Sequence, residues 1–140
     1  MTGIAWQRGV QNALHFRLLA EPFGEQPEVE RILHPALPGD AGHALWKRDF
    51  RGACGLFGVM LKPVGRPALE AFFDRFELFG IGASWGGFES LVIPVDLTGF
   101  RTATRWLHAG PLIRIHAGLE APEDLIRDLD GAFARLRAAA

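Results

Sequence analysis

The sequence predicts an α+β domain of two layers, in which helices cover one face of a mostly antiparallel sheet. Short apolar strand candidates alternate with amphipathic helices, and several of the connections between them are brief. The last helix candidate has a clear apolar face, which needs a second layer to cover it. The 140 residues are 49% hydrophobic and 22% charged, which suits one globular domain with a core of its own.

The first predicted element is a helix over residues 8–21. Its apolar face is defined by residues spaced four apart: Val10, Leu14 and Leu18. We expect Pro22 to end this helix. Because the apolar stripe is thin and polar residues interrupt it, we interpret the helix as a connection to something upstream rather than as part of the core. The predicted division is therefore a linker-helix region, residues 1–24, and the domain proper, residues 25–140.

Two strands follow in the first half of the chain. Residues 29–34 form a short strand candidate that is closed by Pro35 and Pro38. Residues 43–50 are predicted to be a short helix or a turn. Residues 53–61 are apolar on both faces apart from their glycines, which is typical of a buried strand.

The clearest helix of the middle region is predicted over residues 66–78, with Pro67 in its first turn. Its apolar residues repeat with helical spacing: Leu69, Phe72, Phe73 and Phe76. Residues 79–87 are rich in glycine and are predicted to be irregular. Residues 90–95 are a short strand candidate.

The last predicted helix covers residues 122–137. The apolar residues on its buried face share helical spacing: Leu125, Ile126, Leu129, Phe133 and Leu136. Acidic residues occupy its first turn and arginines its last turn, as the helix dipole favours.

Composition and charge exclude several classes of function. The net charge is −1 and no basic stripe is visible, which argues against nucleic-acid binding. The sequence lacks both an apolar run of about 18 residues, which a membrane span needs, and the pattern of a signal peptide. The single cysteine, Cys54, rules out an internal disulfide and indicates a cytoplasmic protein. The five histidines have no metal-ligand spacing, so we predict no metal site.

The strand predicted at residues 112–117 carries the first candidate for chemistry. Two isoleucines point to one face, while Leu112, Arg114 and His116 point to the other. The planar guanidinium of Arg114 matches a carboxylate through two parallel hydrogen bonds. A charge in the middle of a strand is costly unless it is paired. The pattern alone leaves two interpretations open: a carboxylate clamp, or a solvent-facing arginine or structural ion pair.

The second candidate is the glycine-rich segment at residues 80–87, Gly-Ile-Gly-Ala-Ser-Trp-Gly-Gly. Its glycines allow positive φ and a close approach to a ligand. It lacks the ending of a nucleotide-binding phosphate loop, and Ser84 does not lie in a Gly-x-Ser-x-Gly elbow. The segment is either a tight turn with one buried tryptophan, or a loop whose Ser84 hydroxyl and amides hold a small anionic group.

Several segments, in this order, resemble one family. Residues 34–38 read His-Pro-Ala-Leu-Pro, and residues 43–50 read His-Ala-Leu-Trp-Lys-Arg-Asp-Phe. Residues 82–94 read Gly-Ala-Ser-Trp-Gly-Gly-Phe-Glu-Ser-Leu-Val-Ile-Pro. Residues 101–106 read Arg-Thr-Ala-Thr-Arg-Trp, and residues 110–120 read Gly-Pro-Leu-Ile-Arg-Ile-His-Ala-Gly-Leu-Glu. Together they resemble the C-terminal part of the pyridoxal-phosphate (PLP) dependent enzymes of Cys/Met metabolism.

Within that family, residues 84–87 and 101–106 resemble the bacterial cystathionine β-lyase branch, since γ-acting members usually carry Leu after the serine. The resemblance implies the C-terminal small domain of a fold-type I PLP enzyme. It also implies a carbon–sulfur lyase of methionine and transsulfuration metabolism, which converts L-cystathionine to homocysteine, pyruvate and ammonia. Arg114 matches the arginine that clamps the substrate α-carboxylate, and Ser84 and Trp85 match residues that line the same pocket.

The resemblance also implies what these residues do not supply. The family binds PLP through a lysine in a large domain, whereas this sequence has only Lys47 and Lys62 and no tyrosine. Neither lysine matches the Schiff-base position, so we expect no catalytic and no cofactor-binding residue here, and no lyase activity from the chain alone. The expected partners are a large PLP-binding domain and a small amino-acid substrate, with a homo-oligomer in the full enzyme. The alternative is a non-catalytic truncated remnant, or an association or amino-acid-binding module.

Overall fold

A computed structural model describes residues 16–140 of the chain. The part of the first helix that it describes, α1, covers residues 16–24. The other elements follow in chain order: β1 (Val29–Leu33), α2 (His43–Asp49), β2 (Leu56–Leu61), α3 (Arg66–Phe73), β3 (Gly80–Ile81), β4 (Leu91–Val95), β5 (Leu112–His116) and α4 (Pro122–Ala138). The predicted α+β architecture is confirmed, and α2 settles the choice between helix and turn at residues 43–50.

The five strands form one sheet in the order β1-β2-β5-β4-β3. Strand β5 lies in the middle and pairs antiparallel with β2 and with β4. Strand β1 extends the antiparallel pairing on one side. At the other edge, β3 pairs with β4 in parallel through two residues. The sheet is therefore mostly antiparallel, as predicted.

One face of the sheet packs against helices α1, α3 and α4. The ring of Phe133 on α4 lies 5.6 Å from that of Phe23 on α1 and 5.2 Å from that of Phe72 on α3. Phe57 of β2 joins the same cluster through Phe16 and Phe23. This side of the sheet is the apolar core. Side chains that alternate with these core residues point to the opposite face, which we call the second face.

The interpretation of the first helix as lying outside the core is wrong for the residues described. Its buried residues follow helical spacing: Phe16, Leu19, Ala20 and Phe23. Leu18 belongs to the opposite side and is 42% exposed. Val10 and Leu14, the other two residues of the predicted stripe, lie outside the described residues. The division of the chain at residue 24 stays a prediction.

Pro22 does not end the first helix, which continues to residue 24. Proline removes the hydrogen bond to the carbonyl four residues earlier. That carbonyl belongs to Leu18, on the exposed side of α1, where water can satisfy it. The loss is therefore small enough for the helix to persist for two more residues.

Two further boundaries differ from the sequence prediction. Helix α3 ends at Phe73 rather than at residue 78, because Arg75 adopts a left-handed backbone conformation with φ of 60°. Phe76 still packs on Phe72 from the turn that follows. Strand β3 lies in a segment predicted to be irregular, and its pairing begins with the Gly80 amide donating to the Ser90 carbonyl at 2.9 Å. Across residues 16–140, the helices are too short or too polar to cross a membrane.

Candidate substrate-binding site

The candidate site lies on the second face of the sheet, around Arg114 of β5. Arg114 is directly opposite Gly58 of β2 and Ile93 of β4. The space beside Gly58 is filled by Leu33 and Leu112, whose side chains would lie 3.3–3.4 Å from a Cβ atom at that position. Arg114 is half-buried, at a position whose two neighbouring strands hold the backbone on both sides. The fold therefore fixes the base of this cation at the centre of the sheet.

The loop at residues 82–89 lies against this cation. The Nη2 group of Arg114 donates a hydrogen bond to the Ala83 carbonyl. The guanidinium carbon is 5.9 Å from the centre of the Trp85 ring, within the range of a cation–π interaction. Ser84 lies between these two contacts and is exposed. The structure thus brings the three residues predicted from the sequence, Arg114, Ser84 and Trp85, into one region.

Trp85 is not the buried tryptophan of a tight turn, which was one interpretation of this segment. Its side chain is 63% exposed. The chain turns immediately after it at Gly86, whose φ of 77° is a conformation that side chains with a Cβ rarely adopt. The turn leaves both Ser84 and Trp85 accessible to a ligand.

His116 is a residue of the site that the sequence prediction missed. It lies two residues after Arg114 on the same face and is only 3% exposed. Its Nε2 atom is 3.2 Å from the Gly86 amide nitrogen, which donates to it, and 3.3 Å from the Gly87 carbonyl oxygen. The alternation of β5 already placed His116 beside Arg114. Strand alternation does not indicate, however, that its ring reaches the loop.

The far end of the loop is fixed by the segment after β5. The Leu119 amide donates to the Phe88 carbonyl at 2.8 Å. The Glu120 carboxylate accepts from the amide and the hydroxyl of Ser90, at 2.9 and 2.7 Å. A Cβ atom at Gly118 would lie 2.3 Å from the Phe88 carbonyl oxygen, so the close approach of the two segments requires glycine there. The loop is therefore held along its whole length by β5 and by the residues that follow it.

The electrostatics of the site suit an anion. Among residues 16–140, no carboxylate forms an ion pair with Arg114, so its environment does not support the structural ion-pair interpretation. A guanidinium has five N–H donors, and the Ala83 carbonyl takes one of them. The remaining donors can form the two-bond grip that matches a carboxylate.

The lysines of this chain do not fit the role of binding the PLP aldehyde. The Lys62 amino group donates to the Pro27 carbonyl at 2.5 Å, on the side of the sheet where β1 begins. Lys47 lies exposed on α2. Neither lysine contacts Arg114 or the loop at residues 82–89 in the described part of the chain. That this chain offers a substrate-binding group rather than a cofactor-binding one stays a prediction.

Comparisons with known proteins agree with the resemblance found in the sequence. The chain is 46% identical over 122 residues to cystathionine beta-lyase MetC of Escherichia coli (strain K12), covering 84% of this chain and 31% of that protein. It is 44% identical over 111 residues to the L-alanine/L-glutamate racemase of Wolbachia pipientis wMel, covering 78% of this chain and 28% of that protein.

A solved structure shows the same fold. The crystal structure of cystathionine gamma synthase from Xanthomonas oryzae pv. oryzae in complex with cystathionine matches with a TM-score of 0.81 at 28% identity, covering 96% of this chain and 36% of that one. The chain thus spans about a third of the length of the relatives it matches. Residues 4–134 match the Cys/Met metabolism PLP-dependent enzymes as a family. The resemblance is confirmed, and this chain belongs to the family of PLP-dependent enzymes of Cys/Met metabolism.

Proposed function

We propose that this chain supplies the substrate-carboxylate clamp of a PLP-dependent carbon–sulfur lyase of the cystathionine β-lyase type. The observation that carries the proposal is Arg114, which lies half-buried at the centre of the sheet, beside an accessible loop and without an ion-pair partner among residues 16–140. The full enzyme would convert L-cystathionine to homocysteine, pyruvate and ammonia. The similarity to cystathionine beta-lyases at 46% identity supports this choice of reaction.

Arg114 would grip the α-carboxylate of the amino-acid substrate. The Ala83 carbonyl and the Trp85 ring restrict the guanidinium, so less conformational freedom is lost when a carboxylate binds. A grip by two parallel hydrogen bonds fixes the direction of the carboxylate as well as its position. The substrate is then held in one orientation for the reacting group, which is a large part of catalysis in such enzymes.

Ser84 and Trp85 would complete the pocket. The Ser84 hydroxyl can donate one further hydrogen bond to the bound carboxylate. The Trp85 ring would add a cation–π contact on one side of the guanidinium, whose central carbon is 5.9 Å from the ring centre. Both roles are consistent with the exposure of these two side chains in the structure.

The lysine that binds PLP would come from polypeptide outside these 140 residues. Large exposed apolar side chains are available for such a partner: Phe88 in the loop at residues 82–89, and Phe100 and Leu107 on the connection between β4 and β5. Large apolar side chains that stay exposed can form a surface that another polypeptide covers. We propose a large PLP-binding domain as that partner, and a homo-oligomeric assembly of the full enzyme in the cytoplasm.

The test is reconstitution. We expect that the purified chain alone releases no pyruvate from L-cystathionine. After the chain is mixed with the lysine-bearing domain of a related lyase loaded with PLP, we expect pyruvate to be released. Arg114→Lys should raise KM and lower kcat/KM by about tenfold or more, because an ammonium cannot form the planar two-bond grip. Arg66→Lys is the matched control, since Arg66 forms an exposed ion pair within α3. Unchanged kinetics for Arg114→Lys would reject the clamp.

A second candidate function is a binding or association module without lyase activity. The 44% identity to a protein named a racemase shows that domains of this kind occur in proteins with a different named activity. Calorimetry of the purified chain with cysteine or cystathionine tests this candidate. Heat of binding that Arg114→Lys abolishes, together with an inactive reconstituted mixture, would favour the binding module.

A further inference from the structure

We propose that His116 is a positioning residue of the carboxylate site, whose Nε2 atom accepts the Gly86 amide hydrogen and so holds Ser84 and Trp85 beside Arg114. This inference rests on the proposed function for the identity of the ligand. Its structural part rests on the 3.2 Å contact between Gly86 N and His116 Nε2.

Two residues of one strand bracket the pocket. Arg114 fixes the loop at the Ala83 carbonyl, and His116 fixes it at the Gly86 amide. Ser84 and Trp85 are the only two residues between these anchors. Since β5 pairs with a strand on each side, its two anchoring side chains start from a rigid base. A change at either anchor should therefore move the two pocket residues relative to the guanidinium.

The hydrogen bonding of the imidazole indicates which ring nitrogen holds the loop. Nε2 faces both the Gly86 amide at 3.2 Å and the Gly87 carbonyl at 3.3 Å, and one nitrogen cannot accept from the first and donate to the second at once. The inferred arrangement uses the shorter contact, in which Nε2 accepts and the proton of the neutral ring lies on Nδ1. Nδ1 is buried and has no hydrogen-bond partner among the described residues. A buried polar atom without a partner costs free energy, so a hydrocarbon ring would fill this position with less cost. The loop contact through Nε2 is the interaction that offsets this cost.

Three substitutions separate the role of Nε2 from the role of the ring as filling. Glutamine places its amide near the position of Nε2, whereas asparagine places it near the position of Nδ1. Phenylalanine keeps the volume of the ring and removes both nitrogen atoms. A positioning role through Nε2 predicts that His116→Gln preserves the loop while His116→Asn and His116→Phe release it. A packing role predicts that His116→Phe preserves the loop best.

Nuclear magnetic resonance of the 15N-labelled 140-residue chain tests the contact without any partner or substrate. We expect a coupling across the hydrogen bond between Gly86 N and His116 Nε2, with the ring proton on Nδ1. Hydrogen exchange of the Gly86 amide should rise about tenfold in His116→Phe and His116→Asn and stay within about threefold in His116→Gln. Unchanged exchange in His116→Phe, or a proton found on Nε2, would overturn the inference.

Kinetics of the reconstituted enzyme test the consequence for the site. In His116→Phe, KM for L-cystathionine should rise about tenfold while kcat changes by less than about threefold, and His116→Gln should restore KM. Equal KM values for the two variants would reject the positioning role. If the wild-type mixture is inactive, the proposed function fails instead, and the Gly86 measurements still decide whether His116 holds the loop.

Discussion

At the scale of single residues, the chain uses its buried histidines in opposite ways. His116 contacts the loop of the candidate site, whereas His34 belongs to the structural core. The ring of His34 stacks on Phe16 with 3.7 Å between centroids, and its Nδ1 atom accepts from the Ala36 amide at 3.0 Å. An imidazole that accepts a hydrogen bond while packed on an aromatic ring is held in its neutral form.

The buried state of His34 makes stability depend on pH. Burial lowers the pKa of His34 below its ordinary value of 6.5, opposed in part by a hydrogen bond with the Cys54 backbone and by the charge of Asp40. The unfolded chain therefore binds the proton first as pH falls. We expect the free energy of unfolding to be largest above pH 6.5 and to fall as the pH drops below it. Urea unfolding at a series of pH values measures this slope.

The matched variants for this slope are His34→Gln and His43→Gln. In His34→Gln, the free energy of unfolding should depend less on pH between pH 7.5 and pH 5. This expectation holds whether or not the substitution changes the stability at neutral pH. His43 is only partly buried, and its ring nitrogen contacts the Pro35 carbonyl at 2.9 Å. The two variants separate a buried histidine from one that stays partly accessible to water. A slope that persists in His34→Gln would assign the effect to another group.

At the scale of elements, the sequence predicted the positions of β1, β2, β4, β5 and α4 to within a few residues, because periodicity alone marks them. It interpreted α1 as lying outside the core, since the thin stripe of Val10, Leu14 and Leu18 drew attention away from a second stripe that contains Phe16 and Phe23. The sequence prediction extended α3 past Phe73, because the residue that adopts the left-handed conformation is Arg75 and not a glycine that would have indicated a helix end. Periodicity also says nothing about a two-residue strand such as β3.

The packing of α1 can be tested with two substitutions on one helix. Phe23→Ala should lower the free energy of unfolding by about 3–5 kcal/mol, because it removes a buried ring that contacts Phe57 and Phe133. Leu18→Ala should change it by less than about 0.5 kcal/mol, because Leu18 lies on the exposed side. Urea unfolding measures both values. Similar small effects for the two variants would show that α1 does not pack in the core.

The turn after α3 depends on one carboxylate of α4. The amides of Glu77, Leu78 and Phe79 all donate to Asp128, at distances between 2.8 and 3.2 Å. We expect Asp128→Ala to lower the free energy of unfolding by about 1–3 kcal/mol, because it leaves three amides without their acceptor. Asp130→Ala is the control on the same helix, where one exposed hydrogen bond to Gln26 is lost. Equal losses in the two variants would contradict the special role of Asp128.

At the scale of the whole molecule, the candidate site follows from the sheet topology more than from any single motif. Roles for Arg114, Ser84 and Trp85 could be predicted only through the family resemblance, because periodicity left a solvent-facing arginine or a structural ion pair open. The loop at residues 82–89 returns over the centre of the sheet because β4 and β5 are neighbours. That return is a tertiary contact, and sequence spacing does not encode the 3.2 Å approach of Gly86 to His116.

The exposed apolar side chains of the connection between β4 and β5 allow a last prediction about the assembly. Phe100 and Leu107 are 83% and 85% exposed, on the connection between β4 and β5. If the proposed PLP-binding domain covers them, Phe100→Glu and Leu107→Glu should each weaken its binding at least about tenfold, because a charge replaces a buried apolar anchor. Calorimetric titration of the chain with that domain measures the dissociation constant. Leu45→Glu on α2 is the exposed control, and urea unfolding should show that all three variants stay folded. Unchanged binding by Phe100→Glu and Leu107→Glu would show that the partner docks on another surface.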